Sequence, residues 1–593
     1  MGAYRQLLGI GAALVLLWTL VFFPTLGKMP LIRSEAMYAQ IPLEMLASGD
    51  WLTPRLNGAR YLDKPPLYYW LNLLALFLGG KSENAVRVAT FLIGLGEVLA
   101  AFTLGTLLFS RRAGGLAGLI LLTSIGFFAL HLQMLADHLI TLSLGWSLVF
   151  VWLWWQQPRP WQVAGFFLCL WLGLMSKGLI GLFFPLVIGG LFALATWEAR
   201  WRRFFWQPCA WLGLAATALP WFILMEWHHP GFFYFQVWNE QICRFFGHRY
   251  PPDINPLSLF TFWLFVLVWL MPWTPFLPAG VAALWPRRRW PIGREDMAGF
   301  FLFLWAGVTL LFFSLCSSRI EYYSLPALPA LALIVARRLD LYLLHPESRS
   351  MLASLGLYAL LLLGLLSLVP FMEHTCTDNR REFKGMFEQL QPLVYQAAPF
   401  LTVLSGALIF AGWRRRPALS VGCLSGIGLT LLYFTFLSLW LLSPHLSDAW
   451  AGRILREEAS EQDILVMGNI EEFEYGMSLR YYADRAILMV QRQGLPAFGF
   501  PLAPQENYLI SPNTLLELWQ GPKRVFVLMD ECAPEDYLPH ALLLESKGGK
   551  RLLVNRPFLT GLPRNGPAKP LTLNQPPPDA DQTTKGTDVP FTR

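Results

Sequence analysis

The chain has 593 residues, of which 55% are hydrophobic and only 14% charged, with 26 tryptophans and a formal net charge of +7; its mean hydropathy is +0.44. Soluble domains carry nearer a quarter charged residues, so the composition excludes an ordinary soluble protein. The positive charge is no nucleic-acid signature, because many arginines stand in short loops between apolar runs, where they anchor a chain to an anionic inner leaflet.

The first apolar run, Leu7 to Leu26, has no small-residue cleavage site after it and reads as a retained span. Residues 28–83 follow as a loop. Within it, Ser34 to Leu46 and Leu67 to Leu78 are apolar-patterned but too short to cross, and suit helices lying along the membrane surface. Further spans are expected near 84–109, 113–131, 137–156, 161–176, 178–196, 207–227, 258–283, 298–316, 322–337, 351–371, 396–412 and 418–442, about thirteen with the first. Alternate loops carry Arg111-Arg112, Arg159, Arg200 with Arg202 and Arg203, Arg287-Arg288-Arg289, Arg337-Arg338 and Arg414-Arg415-Arg416. The positive-inside rule makes their shared side cytoplasmic, so 28–83, 228–257, 373–395 and the chain after residue 443 face outward.

After residue 443 charges rise and apolar runs shorten to strand length. Asp463–Met467, Ala486–Val490, Tyr508–Ile510 and Val525–Met529 alternate with helical stretches, as in a small α/β domain. From residue 556 the chain is rich in Pro, Thr and Asp, a composition that disfavours a packed core. The expected fold class is thus an α-helical polytopic membrane protein, with a transmembrane domain at 1–442, an extracytoplasmic α/β domain at 443–555 and a disordered tail at 556–593. The seven cysteines (Cys169, Cys209, Cys243, Cys316, Cys376, Cys423 and Cys532) contain no CxxC pair and imply neither a zinc ribbon nor a disulfide-rich module.

On the outward face stand Glu35, Asp63-Lys64, Asp137, Lys177, Glu240, Arg244, His248, Arg319 and Glu321. They come from five loops yet converge at one membrane depth. A collar of snorkelling side chains would account for some of them, but charge near lipid is costly and usually has a reason. Asp137 opens a span, where it either favours the positive end of the helix dipole or takes part in chemistry. Asp63-Lys64-Pro65-Pro66 offers both signs side by side, and the prolines fix the exit of the chain from the loop. Lysine meets a phosphate as a point charge and arginine can meet it bidentately, so Lys177 and Arg319 read as anion partners, or else as helix terminators.

The stretch Ser34-Glu35-Ala36-Met37-Tyr38-Ala39 through Ser48-Gly49-Asp50-Trp51, then Pro54-Arg55-Leu56-Asn57-Gly58 and Tyr61-Leu62-Asp63-Lys64-Pro65-Pro66-Leu67, resembles the first outward loop of bacterial GT-C glycosyltransferases. The nearest branch is that of lipid A aminoarabinose transferases and bacterial relatives of protein O-mannosyltransferases. Asp137, Ser176-Lys177-Gly178, Leu219-Pro220-Trp221, His229-Pro230-Gly231, Trp238-Asn239-Glu240 and Ser318-Arg319 to Leu325-Pro326 follow in the family's order, covering residues 1–340. The resemblance implies a polyprenyl-phosphate sugar donor, a lipid or protein acceptor, an inverting displacement, and an active site and C-terminal domain facing the periplasm from the inner membrane. It implies no required cofactor, no nucleic-acid partner, and a monomer among membrane lipids. Glu35, Asp137 and Asp63 are the expected catalytic acids; Lys64, Tyr38, Lys177, Glu240, Arg244, His248, Arg319 and Tyr322 are the expected substrate contacts.

One departure stands out. The family's loop begins with Asp followed by Glu, with Arg two residues after the Glu; here the positions are Ser34, Glu35 and Met37. Glu35 is the nearest carboxylate to the missing one, and the change leaves room for a catalytically altered homologue. Asp63 and His248 are compatible with a divalent metal, but their spacing has no ligand signature. A transporter or flippase of lipid-linked sugars would share the many spans, but should carry charges at mid-span and helices broken by Gly or Pro in both halves.

Overall fold

A computed structural model describes residues 2–250, 252, 256–286, 296–346, 353–358, 361, 364, 386–470, 476–491, 508–530 and 538–555. Apolar runs become helices because a bilayer offers no water to bond the backbone, and a helix satisfies its own amides. In chain order the first half contains α1 (Gly2–Phe22), α2 (Arg33–Ser48), the hairpin β1 (Arg55–Leu56) and β2 (Ala59–Arg60), α3 (Leu67–Gly79), α4 (Glu83–Leu108), α5 (Arg111–Leu122), α6 (Ile125–His131), α7 (Asp137–Gln156), α8 (Pro160–Lys177) and α9 (Ile180–Thr196). There follow α10 (Arg200–Phe205), α11 (Pro208–His228), a π-helix over Tyr234–Cys243, α12 (Arg244–Phe246), α13 (Leu259–Trp269), α14 (Leu277–Leu284), α15 (Met297–Leu315) and α16 (Leu328–Leu344), then α17 (Met386–Trp413) and α18 (Pro417–Leu446).

Among the described residues, seven helices are long and apolar enough to cross a membrane, or nine if two bent pairs, α5 with α6 and α13 with the segment through Leu284, each count as one span. The remaining expected spans are short: α8 has 18 residues, and α9 and α16 have 17 each. Most of 351–371 and of the loop 373–395, expected to face outward, together with Arg287–Arg289 and the tail 556–593, lies outside the described residues. Leu16, Leu20, Phe77, Leu92, Leu168 and Leu212 are all more than half exposed, as lipid-facing side chains are. Two loops expected on one side do meet: Arg112 and Arg337 both pair with the buried Asp340.

Inside the bundle, helix contact depends on small residues that let backbones approach. At the α8–α9 crossing, a Cβ added at Gly181 would lie 2.1 Å from the carbonyl carbon of Gly173.

The first loop, residues 28–83, is packed rather than laid flat. α2 is buried over residues 35–42, between α3 and the helix Met477–Ala483. The expectation of a membrane-surface helix is corrected here: the apolar face of α2 is covered by protein. Glu35 anchors it. Its two carboxylate oxygens receive Arg87 Nε at 2.6 Å and Nη2 at 2.7 Å, while Oε2 also accepts from the Ile32 amide at 3.1 Å. Arg87 in turn donates to the carbonyls of Leu26, Met29 and Pro30. Further along, Glu44 accepts from the amides of Asn57 and Gly58 at 2.8 and 2.9 Å and so cradles the hairpin turn, where Asn57 (φ 53°) and Gly58 (φ 85°) are left-handed.

After α19 (Ala449–Glu458), strands β3 (Ile464–Ile470), β4 (Leu488–Gln491), β5 (Leu509–Ile510), β6 (Val525–Asp530), β7 (Leu542–Lys547) and β8 (Lys550–Val554) form one sheet in the order β5-β4-β3-β6-β8-β7. Helices α20 (Met477–Ala483) and α21 (Pro512–Gln520) connect the parallel part. The four anticipated strands form this parallel core, in register Ile464 with Val525 and Met489 with Leu509. The antiparallel hairpin β7–β8 was not anticipated; Gly548 and Gly549, both at positive φ, turn it. The sheet clasps the first loop. Asn57 and Ile487 exchange hydrogen bonds of 2.8 and 3.2 Å, Leu31 donates to Tyr482 at 2.8 Å, and Ser447 donates to Leu31 at 2.6 Å.

Candidate functional site

Five chain segments deliver charged side chains to one place. After the bend at Asp63-Lys64, Pro66 takes helical backbone angles (φ −84°, ψ −11°) and leads the chain into α3. Asp137 is the first residue of α7 and Lys177 the last of α8. Gly178, at φ 76°, ends α8, and a side chain there would press on Gln241, whose amide donates to the Lys177 carbonyl at 3.2 Å. The π-helix supplies Asn239, Glu240 and Gln241, and Arg244 and Arg249 follow it. Extra-residue turns of this kind re-aim side chains and often mark functional sites.

The geometry is a chain of alternating charge. Lys177 Nζ lies 2.5 Å from Asp137 Oδ1 and stands 4.8 Å over the Tyr323 ring, with Tyr322 at 5.9 Å. Arg249 donates to Asp63 Oδ2 and to Glu240 Oε1, each at 2.6 Å. Arg244 reaches Glu240 Oε2 at 3.1 Å, and Lys64 Nζ lies 3.8 Å from the same oxygen. All three carboxylates are buried. A narrow cavity opens beside them, polar on the side of Lys64, Lys177 and Arg244 and apolar on that of Phe312 and Phe313. Among the described residues, four cations, Lys64, Lys177, Arg244 and Arg249, thus stand with three carboxylates around this cavity.

Burial, and then the neighbouring Arg244 guanidinium, lower the Lys64 ammonium to about 8, against the opposing pull of Glu240 and Asp63. For Glu240, burial pushes the carboxyl upward, but Arg249, Arg244 and Lys64 outweigh it and hold the group below the ordinary carboxylate range. The site thus keeps Glu240 ionised and loosens the proton on Lys64.

Of the residues expected from sequence, Asp63, Lys64, Asp137, Lys177, Glu240, Arg244 and Tyr322 come together. Tyr38 packs edge-on against Tyr68, with ring centroids 5.1 Å apart, in the loop core. Glu35 does not join: its bidentate pair with Arg87 occupies both oxygens and buries the carboxylate. Arg319 spends its guanidinium on the carbonyls of Leu257, Ser314 and Cys316, bracing the loop rather than facing an anion. His248 is exposed, and among the described residues no third metal donor joins it and Asp63; the one grouping of that kind is Glu97, His131 and His138. Arg249, which joins two of the acids, was missed. Its signal was a second arginine close behind Arg244, past the turn at Gly247.

Comparison with known proteins gives a consistent answer. The family model of dolichyl-phosphate-mannose-protein mannosyltransferases matches residues 63–227. The undecaprenyl phosphate-alpha-4-amino-4-deoxy-L-arabinose arabinosyl transferase of Edwardsiella ictaluri is 29% identical over 524 residues, covering 82% of this chain and 90% of that protein. Its counterpart 1 in Pseudomonas fluorescens is 32% identical over 351 residues, 57% of this chain and 61% of that one. The crystal structure of ArnT from Cupriavidus metallidurans bound to undecaprenyl phosphate superposes with a TM-score of 0.77 at 22% identity, covering 95% of this chain and all of that chain. Multi-pass helical fold, charged site and relatives agree: the chain has the GT-C fold and resembles the glycosyltransferases of the aminoarabinose transferase and protein mannosyltransferase-like family.

Proposed function

We propose that this membrane glycosyltransferase moves a sugar from a polyprenyl-phosphate donor to an acceptor hydroxyl on a lipid A-like molecule or a protein, at the periplasmic face of the inner membrane. The pentose 4-amino-4-deoxy-L-arabinose, named for its relatives, is the first sugar to test. The observation that carries this reading is the cation-rich cluster of Lys64, Lys177, Arg244 and Arg249, with buried carboxylates between them and an apolar wall beside them. A lipid phosphate needs both halves of that environment.

Asp137 and Asp63 are the acids placed to act, since Glu35 is committed to Arg87. An arriving phosphate competes with Asp137 for Lys177 and so releases the carboxylate. The acceptor oxygen then forms its bond to the anomeric carbon from the face opposite the phosphate. As the bond from that carbon to the phosphate oxygen breaks, the hydroxyl proton passes to the carboxylate. The electron pair stays on the departing phosphate, which Lys64 and Arg244 stabilise. One displacement inverts the anomeric centre.

The test is mass spectrometry of envelope lipids and glycoproteins from a bacterium that makes the donor but lacks its own transferase, expressing this chain or its Asp137→Asn variant. A mass increment of one aminopentose that appears only with the unaltered chain supports the reading and identifies the acceptor. Identical profiles at equal protein levels overturn it for that donor.

A further inference from the structure

Behind the first turn of α7, three ligating side chains meet in the interior of the bundle. Glu97 comes from α4, His131 is the last residue of α6 and His138 the second of α7, and none of the three side chains has any exposed surface. The two imidazoles lie with centroids 4.0 Å apart. Trp18 stands edge-on to His131, and Phe127 lies 4.1 Å from the same ring. Gly94, one turn before Glu97, leaves the space the imidazole fills: a Cβ there would come within 2.5 Å of both His131 and Trp18.

The backbone fixes where the ring protons are. His131 Nδ1 lies 2.7 Å from the Phe127 carbonyl, and His138 Nε2 lies 3.1 Å from the carbonyls of both Leu130 and Gln133. A carbonyl only accepts, so these nitrogens carry the protons, and the lone pairs sit on His131 Nε2 and His138 Nδ1. Those are the atoms turned towards Glu97 Oε1, at 3.3 and 4.0 Å. Two lone pairs thus face a carboxylate, and no hydrogen bond reaches His138 Nδ1 or Glu97 Oε2. A proton on Glu97 would satisfy one nitrogen and leave the other bare. A single cation between the three satisfies all of them, and unmet polar groups in so apolar a place are costly.

We propose that Glu97, His131 and His138 form a site for a divalent transition-metal ion of the zinc type. Two imidazoles and one carboxylate suit zinc or cobalt better than calcium or magnesium, which prefer oxygen. Donors bound to one tetrahedral ion stand roughly 3.4 Å apart. The His131–Glu97 pair already does, and His138 Nδ1, 4.0 Å from Glu97 Oε1 in a set whose ligand atoms all lie within 4.8 Å of one another, must move closer when the ion binds. The second oxygen of Glu97 or a water supplies the fourth position. Both imidazoles have the backbone-carbonyl partners that orient metal-bound histidines. The ion is structural: it joins α4 and α6 to the turn of α7 that begins at Asp137, and takes no part in the transfer.

The full chain, purified in detergent with a mild chelator, is reloaded with Zn²⁺ or Co²⁺, desalted and analysed for metal per chain. About one ion per chain is expected, with visible Co²⁺ absorption of tetrahedral type. Asp63→Asn should keep the ion. Glu97→Gln and His131→Asn should each weaken its binding at least tenfold while eluting as monodisperse protein. Monodisperse unaltered chain that takes up neither metal overturns the proposal, as does full stoichiometry retained in both Glu97→Gln and His131→Asn. The cobalt spectrum of the unaltered chain decides the matter even if those variants do not fold.

Discussion

Lys177 Nζ lies 2.5 Å from Asp137 Oδ1, so the last residue of one helix is tied to the first residue of its neighbour. Both side chains are largely buried, at 11% and 6% exposure. Removing one partner of such a pair strands the other charge. Lys177→Met should therefore destabilise the chain by about 3–5 kcal/mol. Lys177→Met with Asp137→Asn should recover much of that loss without recovering transfer. Thermal unfolding of the detergent-solubilised variants measures the first effect and the envelope mass spectrum the second. Equal destabilisation of the single and double variants would show that the pair is not coupled.

Lys64 gives the site a basic limit. In the folded chain its ammonium loses its proton near 8, because burial and Arg244 oppose the charge, with Lys177 adding to them and Glu240 and Asp63 working against them. In the unfolded chain it would do so near 10.5. Between those values the unfolded chain binds more protons, so this residue favours folding as pH rises. Donor binding runs the other way, since an anion needs the ammonium. Donor affinity should fall as pH climbs through about 8, and Lys64→Arg should carry that limb upward. The check is KM for the donor against pH, with kcat recorded beside it.

Arg249 keeps Asp63 and Glu240 together, with a 2.6 Å bond to each. Arg249→Lys retains the charge but replaces a planar fork with a single point, and one ammonium cannot reproduce both bonds. Misplacing the reacting groups by an ångström costs roughly a hundredfold in rate. Arg249→Lys should lower kcat/KM by that order, with folded yield close to that of the unaltered chain. Full activity in that variant would remove Arg249 from the site.

Glu35→Gln should act on stability rather than chemistry. The carboxylate receives two bonds from Arg87, and losing its charge leaves a guanidinium buried beside three carbonyls. A loss of about 3–5 kcal/mol is expected. At low temperature, KM and kcat per folded molecule should stay near those of the unaltered chain. A folded Glu35→Gln protein with normal melting behaviour and no transfer would return Glu35 to the catalytic acids.

How much of this was legible depended on the range of each signal. Apolar runs and arginine loops are local, so the helical membrane fold could be read directly, and Arg112 and Arg337 do share Asp340. Charges such as Asp63, Asp137 and Lys177 could be singled out because they sit at the ends of apolar runs. Their pairing could not, since partners stand 40 residues apart for Asp137 and Lys177 and 186 apart for Asp63 and Arg249. The role of Glu35 was hidden for the same reason. Its partner Arg87, 52 residues on, lies inside what reads as a span, and nothing in the linear pattern ties the two together. Glu97 was passed over because one acid in a long apolar run gives no hint of the two histidines folded against it.

Asn57 closes its amide pair on Ile487, 430 residues later in the chain. A ribosome working at 5–20 residues per second needs roughly 20–90 s to cover that distance. For that interval the newborn hairpin has left the ribosome without the strand edge that fastens it. A transcript cut short before the sheet encodes every charged residue of the site and still leaves Asn57 without its partner Ile487. The clasp on the hairpin is thus completed only near the end of synthesis.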